Sequence, residues 1–196
     1  MAIPIRGWAL DVDNFRTQAR NFFDHNPVGS SNIFFPLTID RARIRGTEAT
    51  VRSPRLLSRA QVHLAYSHQY AEGFGAVNGG LRDFSPPEEG FFLDHDQRHT
   101  LSTGFDLDLP RRVWADGNIY YGSGFTDSGG PGHLPGHTTV DVALGKSIGE
   151  DLSLSVTALN LGNRRFLLDN STTFAGGSHF FHPREIFAQL KYRFRY

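Results

Sequence analysis

Three groups of histidine and aspartate have residue types that could do chemistry: Asp94-His95-Asp96, His133 with His137 four positions on, and His179 with His182. Imidazole and carboxylate suit iron and its chelates, so such side chains could touch a polar ligand or a ferric complex. None of the groups has the ligand number or spacing of a defined metal site. His133 and His137 would share one face of a helix, as in zinc proteases, but the segment Gly132-His-Leu-Pro-Gly136 excludes a helix there. Solvated loop residues are the simpler account. Asp94, His95, His133, His137 and His179 therefore stand as candidate ligand-contacting positions, and no metal or cofactor is assigned.

Other short motifs fail on context. Gly73-Phe-Gly-Ala-Val-Asn-Gly79 departs from the dinucleotide fingerprint and has no βαβ unit around it. Tyr121-Gly-Ser-Gly-Phe125 lacks both outer glycines of a nucleophile elbow. Asn170-Ser-Thr172 is a glycosylation sequon only in a eukaryotic secretory setting. Ser, His and Asp are plentiful without a spacing that defines a triad, so no catalytic residue is expected and the chain reads as a non-enzyme. Cysteine is absent, which removes disulfide scaffolds and thiolate metal sites. Twenty acidic residues balance twenty basic ones, so no net field points to nucleic acid.

The elements that would position these loops are strands. Trp8, Leu10 and Val12 oppose Asp11 and Asp13 in the first, and the alternation loses its phase after Asn14, with Phe15 and Phe22-Phe23 out of step. A second strand over 42–52 sets Thr47, Ala49 and Val51 on one face, with Arg43 and Arg45 in phase with them. A bulge near Gly46, or a position beyond the apolar band, would account for those arginines. Further strands follow from Ala60 to Ser67, Leu101 to Leu109, Val113 to Tyr121, Thr139 to Leu144 and Leu152 to Ala158. The last runs to the C-terminus, with Ile186, Ala188, Leu190, Tyr192, Phe194 and Tyr196 alternating with mostly charged residues and Phe187 as the exception.

Eight strands alternate with connections that read long, short, long, short, long, short, long, the long ones near 24–32, 71–96, 122–136 and 162–183. That pattern predicts an antiparallel up-and-down meander with all short turns at one end. Outer-membrane barrels have this asymmetry, and their lipid-facing residues alternate with lumen-facing ones so that hydropathy does not reveal them. No run approaches the roughly 20 apolar residues of a transmembrane helix. Trp8, Tyr66, Tyr121, Phe125, Tyr192 and Tyr196 fall near strand ends, where an interfacial girdle would lie. A soluble β-sandwich or lipocalin-like barrel also alternates, and would carry its apolar face inward.

The C-terminal third carries a more specific pattern. Leu154-Ser-Val-Thr-Ala-Leu-Asn-Leu-Gly-Asn-Arg-Arg-Phe166, Asp169-Asn170 and Pro183-Arg-Glu-Ile-Phe-Ala-Gln-Leu-Lys-Tyr-Arg-Phe-Arg-Tyr196 resemble the end of TonB-dependent outer-membrane receptors. Arg45-Gly-Thr-Glu48 is similar to a recurrent strand of the same family. The resemblance implies that residues 1–196 are the C-terminal portion of a receptor β-barrel, all-β and about eight strands of a partial barrel. Signal peptide and plug domain would lie outside the sequence. It also implies that Tyr192, Phe194 and Tyr196 are the signal read by the barrel-assembly machinery. The expected partners are outer-membrane lipid, that machinery, the N-terminal barrel strands and plug, and TonB only through the plug. The implied role is uptake of a ligand such as a siderophore, cobalamin or carbohydrate across a Gram-negative outer membrane. A self-contained eight-stranded structural or adhesion barrel is the second reading, and a soluble β-barrel enzyme or lipid carrier the third.

Overall fold

The computed structural model describes residues 2–5, 7–27, 33–80, 88–93, 96–127, 132–170 and 179–194. Among these described residues twelve strands occur in chain order: β1 Ala2–Ile5, β2 Trp8–Pro27, β3 Phe34–Arg52, β4 Ala60–Gly79, β5 Phe91–Phe92, β6 His99–Leu109, β7 Val113–Gly122, β8 His137–Ile148, β9 Leu152–Leu159, β10 Leu167–Asp169, β11 His179–Phe180 and β12 Glu185–Tyr192. Nine of them make one antiparallel meander, in the order β1-β2-β3-β4-β6-β7-β8-β9-β12, with β5 added on β4 and β10–β11 forming a separate hairpin. Among the described residues β12 pairs with β9 alone and β1 with β2 alone, so the sheet is an open wall. Among the described residues no helix is long and apolar enough to cross a membrane, which says nothing about a barrel.

Register sorts the side chains into rows of opposite character, because successive residues of a strand point to opposite faces. On one face Leu10, Val51, Leu64, Thr103, Ile119 and Val140 lie side by side. Val62, Phe105, Gly117, Val142, Ala158 and Ile186 form the next row, and Ala60, Leu107, Ala115, Leu144, Val156 and Ala188 the one below. Tyr66 and Tyr121 share the row that borders this apolar field toward the loops, and Tyr192 joins Ile148 and Leu152 toward the turns. The other face carries rows such as Asp11, Thr50, Ala65, Ser102, Tyr120 and Thr139. Phe187, the exception to the final alternation, falls on this polar face opposite Thr157.

The alternation expected for β6 to β9 and β12 is observed, whereas the N-terminal strands differ from expectation. β2, β3 and β4 reach 20, 19 and 20 residues, taking in residues 24–27 of the loop anticipated at 24–32 and residues 71–79 of the one at 71–96. A crease crosses all three. Asn21 takes a left-handed backbone (φ 51°), and β4 inserts one extra residue opposite Asp40, at Gly75 (φ 82°) and Ala76. Asp40 Oδ2 accepts from the Ala76 N–H at 3.0 Å, which satisfies the donor the bulge frees. Past the crease Ile39 packs with Ala42 and Leu93, although strict alternation would separate it from Ala42. Phe22 joins that cluster, and this is why Phe22 and Phe23 read out of phase, whereas Phe15 lies before the crease.

No bulge lies at Gly46, which pairs in register with both Phe15 and Gln69. Its missing side chain makes room for the Phe15 ring, whose Cζ would sit 2.7 Å from a Cβ there. The N-terminal residues also form a strand that the alternation did not reveal, turning back at Gly7 (φ 83°) so that Ile5 faces Trp8. At the same end Arg55 pairs with Asp108, and Arg112 donates to the Gly149 carbonyl, linking neighbouring turns.

Candidate functional site

At the loop end of the sheet, the connection leading into β6 descends beside β4 and brings Asp96 under the following loop. The Asp96 side chain is fully buried. Its Oδ2 accepts from Arg98 Nε at 3.1 Å and lies 3.0 Å from His133 Nε2, while Oδ1 accepts from the Ala71 N–H at 2.8 Å. Thr126 Oγ1 donates to the Leu93 and Asp96 carbonyls. The Arg98 guanidinium lies 4.0 Å from the Tyr70 ring centre and 4.2 Å from that of Phe92. A buried carboxylate with two basic partners and a backbone donor is fully engaged. Its evident work is to clamp His133 and Arg98 onto β4.

A second cluster lies at the mouth of the polar face, where His137 extends the row of Asp13, Glu48, Ser67, Thr100 and Gly122. The His137 ring is buried and stacks on Phe166 with centroids 3.7 Å apart and planes 7° from parallel, and Phe166 stacks in turn on Phe181 at 4.7 Å. Phe125 lies on His137 at 5.5 Å. It is thereby drawn into the mouth rather than onto the apolar border where a girdle residue would stand. Gln97 Nε2 donates to Tyr120 Oη at 2.8 Å, and Gln97 Oε1 and His137 Nδ1 have no hydrogen-bond partner among the described residues. The inner ring faces of this layer cover one another, and the partly exposed Phe181 at its end is the face left for an aromatic or planar ligand.

The two histidines of the 133–137 pair thus go to different places, His133 to Asp96 and His137 to the phenylalanines. His179 lies on β11 in register with Asp169. Asp94, His95 and Tyr196 lie outside the described residues. Among the described residues no group of three or more His, Asp or Glu side chains could hold a metal ion. Phe166, Phe181, Gln97 and Arg98 carried no local signal, since their partners come from distant loops. On the polar face nearer the turns, an open groove is lined by Arg52, Gln61, His63 and Asp106.

The segment Asn160-Leu-Gly-Asn-Arg164 is a built turn. Asn160 and Asn163 are both left-handed, at φ 46° and 48°, a conformation asparagine tolerates better than most residues. Asn160 Nδ2 donates to the Arg164 and His182 carbonyls, each at 2.9 Å, and Oδ1 accepts from the Arg164 N–H at 2.9 Å. Its own N–H donates to Asp141 Oδ1 at 2.7 Å. Asn163 Oδ1 accepts from the Arg184 N–H at 2.9 Å, so the two asparagines pin the start of β12 to the end of β9.

The family model for the TonB dependent receptor-like β-barrel matches residues 4–161. The chain belongs to the TonB-dependent receptor β-barrel family. That family consists of receptors and transporters of the Gram-negative outer membrane that work with TonB and ligands. The match includes Arg45-Gly-Thr-Glu48 and stops inside the Asn160–Arg164 turn, leaving β12 beyond it. A search of curated proteins finds no match. Among solved structures, the chain is similar to the ferric-catecholate import receptor Fiu of E. coli K12, with a TM-score of 0.62 and 17% identity over 96% of this chain and 26% of that one. The Pseudomonas aeruginosa ferripyoverdine receptor, solved with ferripyoverdine bound, gives 0.64 and 13% identity over 95% and 25%. The copper transporter OprC gives 0.68 and 9% over 98% and 30%. The chain thus spans between a quarter and a third of the length of these TonB-dependent structures, and at such identities the likeness is one of fold.

Proposed function

We propose that residues 1–196 form the C-terminal wall of a TonB-dependent receptor barrel in the outer membrane, working with a plug and further barrel strands. The function is uptake of a ligand such as a siderophore, cobalamin or carbohydrate, by binding and passage rather than bond chemistry. The observation that carries the membrane reading is the apolar face. Leu144, Val156, Ile186 and Leu190 are 56%, 51%, 65% and 66% exposed with no second layer across them among the described residues, a contiguous apolar surface of the kind that meets lipid. The polar face, with its aspartates, then lines the lumen. β6 to β9, at 8–12 residues, match the roughly 9–11 residues a tilted strand needs to cross a bilayer, and β2 to β4 continue well past it on the loop side.

The ligand reading is supported by the His137–Phe166–Phe181 stack at the lumen mouth and by related folds that carry ferric siderophores. His137, buried within that stack, backs the aromatic surface that would meet a ligand, and His179, Asp94 and His95 are further candidates for contact. His133 contributes by holding its loop to Asp96. Tyr192 and Phe194 meet edge to face at 4.8 Å, and with Tyr196 they would supply the signal recognised during barrel assembly. The test is accumulation of ferric siderophores, cobalamin and oligosaccharides by cells with and without the gene, in the presence and absence of TonB. One ligand class should enter only when both are present. Equal entry of all three in every strain refutes the receptor reading.

A further inference from the structure

Resting on the lipid-facing assignment above, we infer that the loopward extension of the apolar face is a docking surface for the phosphorylated headgroups of outer-leaflet lipid. Above the row of Tyr66 and Tyr121 the same face of β2 and β3 becomes cationic. Arg41, Arg43 and Arg45 occupy alternate positions of β3, and Arg16 and Arg20 of β2 stand directly opposite Arg45 and Arg41. Five guanidinium groups thus share a patch about 14 Å along the strand and about 5 Å across.

Like charges placed directly opposite across strands are destabilising, and two such pairs occur here. Among the described residues Glu72 is the carboxylate that pairs with any of the five, accepting from Arg43 at 2.9 Å and approaching Arg45 at 3.9 Å. Arg16, Arg20 and Arg41 are exposed and have no acidic partner among the described residues. Arg43 and Arg45 lie over the Phe74 and Tyr70 rings, 4.9 and 5.1 Å from their centres, so their faces are held while N–H edges remain for oxygen acceptors. The opposite face of the same stretch of β2 and β3 carries Thr17, Ala19, Ala42 and Ile44 and no arginine, so the charge is confined to the side that continues the lipid-facing field. Phosphates at headgroup depth neutralise this patch, and arginine forks match their geometry.

The experiment uses the protein as its gene encodes it, purified from outer membranes in detergent, with bound lipid read by native mass spectrometry. The probes are bis-phosphorylated lipid A, the same lipid without phosphates, and inorganic phosphate. The phosphorylated lipid should be retained in preference to the other two. The triple variant Arg16→Gln, Arg20→Gln, Arg41→Gln, which breaks no ion pair, should weaken retention on the order of 100-fold, from the usual contribution of each basic residue near an anionic surface. Arg52→Gln, on the polar face, should leave it unchanged. Equal retention of both lipids, binding of inorganic phosphate as tight as that of the lipid, or a triple variant that binds like wild type overturns the inference. Circular dichroism and heat-modifiable migration separate the two levels: a protein without a sheet-rich, heat-modifiable barrel sinks the receptor reading itself, and a folded barrel indifferent to phosphate sinks only the headgroup site.

Discussion

Replacing Asn160 with alanine should cost the fold about 4 kcal/mol. Three side-chain hydrogen bonds disappear, two donated to the Arg164 and His182 carbonyls and one accepted from the Arg164 N–H. These bonds are partly buried, and at the usual net value of about 1 kcal/mol per bond they contribute about 3 kcal/mol. The alanine must also sit at φ 46°, which adds about 1 kcal/mol. Asn160→Gly loses the same bonds but tolerates the backbone, so it should cost about 3 kcal/mol. The gap between the two variants isolates the conformational part from the hydrogen-bonding part. Urea unfolding of the protein refolded in detergent, followed by tryptophan fluorescence, gives both values if the slopes agree with wild type. Alanine within about 1 kcal/mol of wild type, or a glycine variant less stable than the alanine one, would refute the account of this turn.

Two other consequences are open to measurement. Asp96→Ala strands Arg98 and the Ala71 N–H and releases His133, so it should destabilise the loop clamp by about 3–5 kcal/mol and expose the 123–136 loop to protease, whereas unchanged cleavage there would mean the clamp is dispensable. Because the chain has no cysteine, single labels at Leu144→Cys and Ala143→Cys report the two faces directly. Brominated lipid should quench the first strongly and the second little, and equal quenching would contradict the assignment of lipid and lumen faces.

Much of the wall was readable because strand alternation is local. Leu101 to Leu109, Val113 to Tyr121 and the final strand declare their faces through a period of two, and the observed register places those faces together. The Asn160–Arg164 pattern was visible as a resemblance, and the structure supplies its reason in two left-handed asparagines that satisfy the ends of a turn. The reading failed where the backbone leaves the regular pleat. Asn21 and the Gly75–Ala76 bulge shift the phase of the side chains beyond them, so the upper half of β2 lost its alternation, β3 was read only from residue 42, and the upper half of β4 looked like loop.

The candidate site was legible only as composition. His133 and His137 stand four positions apart in sequence, yet one meets Asp96 and the other Phe166, and their partners come from loops 37 and 29 positions away. The sequence by itself determined the all-β class, the alternating faces and the family, because each depends on patterns of neighbouring residues. Only the tertiary structure decided which loop residues meet at the mouth, and that five arginines share the field above the apolar band. Those placements follow from hydrogen-bonded register between strands distant in the chain, and no local pattern encodes that register.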